Sequence, residues 1–307
     1  MQSIVFHLPR SWLGPTGTGL LPFYERLTAG LADQGVPFRL TALDRDSVMQ
    51  TVSEDRDFHV INHGQFEHPR VLNAGIAYVY PFWNMDPKGI RAFSSIADAR
   101  FLPDQIDPDV ARPFFRKLRQ RLVDARTSRY EQPQERMDLP AQCTAVFLQS
   151  EGHRVVGETC FLDRWEMLET VLNNSDLSVV VKPHPRDSDP QTRVRLETLQ
   201  KQYENFQIVD CNIHDLLRAA ARVVTINSAV GIEAYLHRKP VILCGQSDFH
   251  HIAEVARTPA ELARALSSAP KRRAYDKFIW WYFAHHCLST TEPNLTERFL
   301  ARVRRDS

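Results

Sequence analysis

Apolar residues along this chain come in short runs, separated by longer stretches that carry a helical period. Residues 3–8 are an apolar run, and residues 20–34 repeat apolar positions at helical spacing up to Gly35. Runs at 38–42, 58–62 and 76–80 read as further strands, so strand and helix alternate. That rhythm predicts βαβ units around a parallel sheet. The second half is sharper, with strands at 145–149, 177–181, 206–209, 223–226 and 241–244 and helices at 164–172, 191–202, 213–220, 230–236 and 261–267. Its strands are continuously apolar rather than alternating, which marks a sheet covered on both faces. A polar helix is expected over 108–126, with Asp107 as N-cap and Pro108 at the first helical position, or a later start at Pro113. Residues 127–140 break the pattern with Pro133 and Pro140 and read as a linker. The expected fold is α/β: two Rossmann-type, doubly wound domains over 1–140 and 141–307, facing across a cleft. The last helix is free to pack back on the first domain.

Length and composition agree with this. A chain of 307 residues divides naturally into two domains of roughly 140–160 residues. A formal net charge of +1 with 24% charged residues gives no general pull toward nucleic acid. Cys143, Cys160, Cys211, Cys244 and Cys287 are odd in number and lack CxxC spacing, which suits a reducing compartment rather than disulfides or zinc. The start lacks a signal-peptide pattern and no apolar run spans a membrane, so the expected location is cytoplasmic. Phe278-Ile279-Trp280-Trp281-Tyr282-Phe283, followed by Arg302, Arg304 and Arg305, leaves two readings for the tail. One is a packed helix with a solvated charged face. The other is a surface resting on the anionic inner face of the membrane.

Candidate chemistry clusters at strand ends, where open parallel sheets bind ligands. Val181-Lys182-Pro183-His184-Pro185-Arg186-Asp187 places an imidazole and an ammonium at one such end. Both suit a phosphate, and the flanking prolines stop the strand there. Thr225-Ile226-Asn227-Ser228-Ala229-Val230-Gly231-Ile232-Glu233 runs from a strand into a helix. Asn227 or Ser228 is the expected cap, the helix start attracts an anion, Gly231 permits close approach, and Glu233 suits ribose hydroxyls. At a third strand end, Gln149-Ser150-Glu151-Gly152-His153 offers a carboxylate as base, acid or nucleophile. Gly14-Pro15-Thr16-Gly17-Thr18-Gly19 presents backbone amides at a helix start, and a plain connecting turn explains it equally well. The pairs His250-His251 and His285-His286 lack a third ligand at metal spacing, so no metal is expected.

Lys182-Pro183-His184-Pro185 followed by Asn227-Ser228-x-x-Gly231-x-Glu233-Ala234 resembles the bacterial capsule polysaccharide biosynthesis family, over roughly residues 143–250. The resemblance implies a GT-B-like, cytoplasmic glycosyltransferase that moves Kdo, an acidic keto-sugar, from CMP-Kdo to a glycan or glycolipid. The nucleotide sugar is then a substrate, and no cofactor is implied. Carried over by position, His184 and Pro185 hold the CMP phosphate with Lys182 nearby, Asn227 and Ser228 complete that site, and Glu233 faces the ribose. Gln149 to His153 is similar to the family's Gln-x-Glu-x-Asp pattern, with His153 where the aspartate stands. Glu151, His153 and His184 are therefore the expected catalytic residues. Gly17, Gly19 and Trp83 are expected on the acceptor side. Other readings stay open: a sialyltransferase, a UDP- or GDP-sugar transferase, or a non-catalytic accessory of a capsule assembly complex.

Overall fold

The structure is a computed structural model and describes residues 3–14, 16–149, 158–269 and 271–305. In chain order the strands are β1 (Ile4–Leu8), β2 (Phe38–Ala42), β3 (Phe58–Asn62), β4 (Val71–Ile76), β5 (Phe82–Asp86) and β6 (Cys143–Phe147). They continue as β7 (Val179–Lys182), β8 (Phe206–Ile208), β9 (Ala220–Thr225), β10 (Val241–Leu243), β11 (Glu254–Val255) and β12 (Leu288–Ser289). The strands form two sheets, ordered β12-β5-β4-β3-β1-β2 and β11-β10-β9-β6-β7-β8. The chain divides into two compact units, one of Met1–Ala99 with Tyr282–Ser307 and one of Arg100–Trp281.

In the first unit β1 to β4 run parallel, while β5 and β12 are antiparallel to their neighbours. The helix Pro22–Asp33 buries Phe23, Tyr24, Leu27 and Leu31 against this sheet, as its apolar spacing requires, and stops before Gly35 at φ 64°. Returning chain completes the unit. Leu288 pairs with Trp83, Arg26 Nη1 donates to the Thr290 carbonyl at 2.6 Å, and Phe299 stacks on Phe6 at 6.0 Å. Of residues 76–80 only Ile76 is strand, the last residue of β4. Tyr78 stands at φ 61°, and the bonds Tyr78 N to Ile76 O and Phe82 N to Val79 O make this stretch a turn between β4 and β5. Apolarity alone does not distinguish a buried turn from a strand. Trp83 is not an acceptor platform either: it is 1% exposed, stacked on Phe23 at 4.5 Å inside the core.

All six strands of the second unit run parallel. Counted from β6, the order β8-β7-β6-β9-β10-β11 is 3-2-1-4-5-6, the Rossmann arrangement, with its topological switch between β6 and β9. The core joins Val146, Val179, Val181 and Val224 of the strands to Met167, Leu168 and Val171 of the helix Arg164–Asn174. Asp163 caps that helix, accepting from Trp165 N and Glu166 N at 2.7 and 2.8 Å.

The division between units falls after Ala99, not at 140. The reason is the polar helix Pro108–Arg119: Phe115 lies under the Arg238 guanidinium at 4.8 Å, and Arg119 Nη1 donates to Leu236 O at 3.1 Å. Asp107 caps it through Asp109 N, and Pro113 lies inside it without ending it. In the aromatic tail Phe278, Tyr282 and Phe283 are buried at 0–1% exposure, while Trp280 is half-buried. Arg302 also turns inward, donating to Met85 O and His286 O at 2.6 Å. Among the described residues no helix is long and apolar enough to cross a membrane.

Candidate functional site

Register places the expected residues on three neighbouring strand ends of the second unit. Phe147 of β6 is opposite Lys182 of β7 on one side and Thr225 of β9 on the other. Two residues further on stand Gln149, His184 and Asn227, all at the carboxyl edge beside the switch point. Neighbouring strands are roughly 4.8 Å apart, so the outer two ends are separated by about two such steps.

The two central residues form a latch. Gln149 Oε1 accepts from Asn227 N at 2.8 Å, and Gln149 Nε2 donates to Asn227 Oδ1 at 2.9 Å. Asn227 Nδ2 then donates to Thr159 Oγ1 at 2.7 Å and to Gln246 O at 3.0 Å. The side-chain polar groups of Gln149 and Asn227 are thus engaged within the protein, holding the two halves of the sheet together at the switch. Asn227 does not cap the following helix. The cap position is Ala229, and Ser228 Oγ accepts from Val230 N at 3.3 Å. Gly231 admits a side chain rather than a ligand, because a Cβ there would meet Phe249 Cε2 at 2.6 Å.

His184 begins a tight turn. Asp187 N donates to His184 O at 2.9 Å, with exposed Pro185 just inside the turn, its φ preset for that place. Arg164, itself buried, clamps the turn from behind through Asp187 at 2.5 Å and Asp189 at 3.3 Å. Arg186 N donates to His184 Nδ1 at 3.2 Å. In the neutral ring that assigns the proton to Nε2, which makes His184 a donor suited to a phosphate oxygen. Lys182 is 7% exposed, and its ammonium meets Asp210 Oδ1 at 2.8 Å, so an anion arriving there shares that charge with Asp210.

Glu233 is 5% exposed, and burial pushes its carboxyl up to about 7, against a hydrogen bond from Ser128 that favours the ionised form. It therefore lies poised between neutral and charged states near neutrality. Tyr130 meets His184 edge to face at 5.5 Å and carries the Arg186 guanidinium over its ring at 4.8 Å. Thr159, Asp210, Ser128, Tyr130 and Arg164 were not singled out from sequence. Only Asp187, following the His-Pro pair, gave a local signal.

The expected catalytic pair Glu151 and His153 lies outside the described residues, as do Ser150 and Gly152. On the first unit, Gly17 closes a turn, donating to Gly14 O at 3.1 Å, and a Cβ on it would meet Leu13 O at 2.7 Å. Gly19 is exposed at φ 83° with open space where a Cβ would stand. Positive φ explains the glycine at 19, and chain packing the one at 17. Among the described residues no three His, Cys, Asp or Glu are placed to hold a metal. His250 and His251 stack on each other at 4.5 Å.

None of the curated proteins matches the chain. Two solved structures from Thermosulfurimonas dismutans share its fold. One, KpsC beta Kdo 2,7 transferase, aligns over 100% of both chains at 14% identity with a TM-score of 0.59. The other, KpsC beta Kdo 2,4 transferase, aligns over 90% of this chain and 88% of its own at 15% identity with a TM-score of 0.53. Residues 152–288 match the family described as capsule polysaccharide biosynthesis protein, a span that contains the His-Pro turn and the Asn-Ser strand end. The resemblance read from those two motifs is therefore borne out over that span, on the GT-B-like fold of the two Kdo transferases.

Proposed function

We propose that this protein is a glycosyltransferase of capsule or surface polysaccharide synthesis that transfers an acidic keto-sugar, Kdo, from a CMP donor to a glycan or glycolipid. What supports the reading is that the Lys182-Pro183-His184 and Asn227-Ser228 segments stand at the carboxyl ends of β7 and β9, the two strands on either side of β6, inside the span that matches the family. In this reading the anomeric carbon–oxygen bond to the phosphate breaks, and its electron pair leaves with CMP. The His184 Nε2 proton and the Lys182 ammonium stabilise the charge that develops on the departing phosphate, an electrostatic role that metal-independent transfer requires. Glu233 receives the ribose hydroxyls. The acceptor hydroxyl bonds to the anomeric carbon and passes its proton to a carboxylate, for which Glu151 is the candidate.

The test is thermal unfolding with CMP, UDP and GDP, followed by turnover of CMP-Kdo. A ligand that binds only the folded chain at a hundred times its Kd stabilises it by about 2.7 kcal/mol. CMP should raise the melting temperature, and His184→Ala should abolish both that rise and turnover while remaining folded. Stabilisation by UDP or GDP alone would move the donor to another class. Stabilisation by none of the three would remove the nucleotide reading.

A further inference from the structure

The segment 126–134, which reads in sequence only as a break between periodic stretches, is tied down at both ends to one helix start. Arg126 Nη2 donates to Asp215 Oδ2 at 2.6 Å, and His214 Nε2 lies 2.8 Å from the Thr127 carbonyl. Asn212 Nδ2 donates to Arg126 O at 3.1 Å and to Pro133 O at 3.2 Å, while Gln132 Oε1 accepts from Ile213 N at 3.0 Å. Arg126 Nη1 also reaches Gln134 O at 2.9 Å, closing the segment on itself. Both ends are therefore fixed on Asn212 to Asp215, and residues 128–131 form a short strap between the anchors.

The strap touches the candidate site at the His-Pro turn. Tyr130 packs its ring edge to face on the imidazole of His184, and the Arg186 guanidinium of the same turn covers its face. Nothing in the packing of the core requires this, since Arg129 and Glu131 beside Tyr130 are exposed.

We propose that residues 128–131 are a wall of the nucleotide site, on which Tyr130 is the positioning residue for His184. This rests on the donor reading above, and its ligand is the same nucleoside monophosphate, with phosphate toward His184 and ribose toward Glu233. Tyr130 sets the ring through edge contact. Arg186 is held on the other partner of that contact, so the turn that carries Nε2 cannot rotate independently of the strap. His184 is faced here by Tyr130 and by Arg186 of its own turn, and the Arg129 guanidinium lies 5.7 Å from the Tyr130 ring centre.

The experiment uses the full chain, with CMP titrated calorimetrically between pH 5.5 and 8.5, and with the His184 imidazole followed by NMR in the absence of nucleotide. Tyr130→Phe keeps the ring and should bind CMP within about twofold of wild type. Tyr130→Ala should weaken binding roughly three- to tenfold, as loss of an aromatic contact does, and should shift the NMR signals of the His184 ring. If Tyr130→Ala unfolds, Tyr130→Leu replaces it with the same expectation. Wild type that binds CMP while Tyr130→Ala binds it equally, with His184 unmoved, overturns the strap and leaves the donor reading intact. Wild type that binds no CMP overturns both, and the donor reading is then what failed.

Discussion

Glu233 and Asn227 show how local environment decides what a side chain does. A buried carboxyl raised to about 7 from the ordinary 4.5 binds a proton in the folded state that the unfolded chain has already lost. Folded-state stability therefore falls as pH rises between those values, by on the order of 3 kcal/mol for this group. Glu233→Gln should remove that fall, and because the buried histidines described below act in the opposite sense, the variant should show a steeper rise of melting temperature between pH 5 and 6.5 than the wild type. Asn227 was legible as a strand-end polar residue but not as a latch, since nothing in the sequence reveals that Gln149, far away along the chain, is its partner. Truncating it leaves the buried amide of Gln149 and the Thr159 hydroxyl short of partners. Asn227→Ala should cost about 1–3 kcal/mol in urea unfolding.

Most strands and helices of the second sheet were read to within about three residues, because continuous valine runs and helical spacing are strong local signals there, while the two-residue edge strand Glu254–Val255 gave no such signal. The first sheet was less legible. Val71–Ile76 carries Asn73 and Gly75 within a strand, while the more apolar stretch after it is a turn. Asn73 belongs in β4 for a tertiary reason: Nδ2 donates to Phe66 O and Asp86 O, satisfying loop carbonyls that no sequence period displays. Trp83 misled for a related reason, because an aromatic side chain gives no sign of whether it faces a ligand or a core. Its removal should be expensive: Trp83→Ala should destabilise by about 3–5 kcal/mol. Gly231→Ala should cost about 1–3 kcal/mol through collision with the Phe249 ring. Chemical denaturation checks both, and a change below 0.5 kcal/mol (roughly the range of a neutral surface change) would refute the packing argument for either.

Across the molecule, buried histidines outnumber the single raised carboxyl. His7 Nε2 bonds His59 Nδ1 at 2.9 Å in the first unit, and His214 Nδ1 bonds His237 Nε2 at 3.0 Å in the second. Burial lowers all four below 6.5, His7 to about 4 and His237 to about 3. Each is held neutral in the fold but protonated in the unfolded chain once pH drops below 6.5, so stability is lost as pH falls through that window. Four such groups act against Glu233, and the net expectation is a melting temperature that drops from pH 6.5 toward 4.5. His237→Gln should shallow that decline. A melting temperature that stays constant down to pH 4.5 would contradict the neutral state of these pairs. The two-domain plan was legible in the sequence, but the place of the division was not. It depends on the helix Pro108–Arg119 meeting Leu236 and Arg238, contacts between residues over a hundred positions apart.

The first sheet is finished by a strand and a helix from 282–307, drawn from beyond the entire second unit. On a ribosome, the N-terminal portion must therefore wait, with Trp83 and Phe6 lacking their last neighbours, while the later-encoded unit can already close. Until residues 282–307 emerge, the early-encoded portion keeps apolar surface uncovered, the condition under which nascent chains are prone to aggregate.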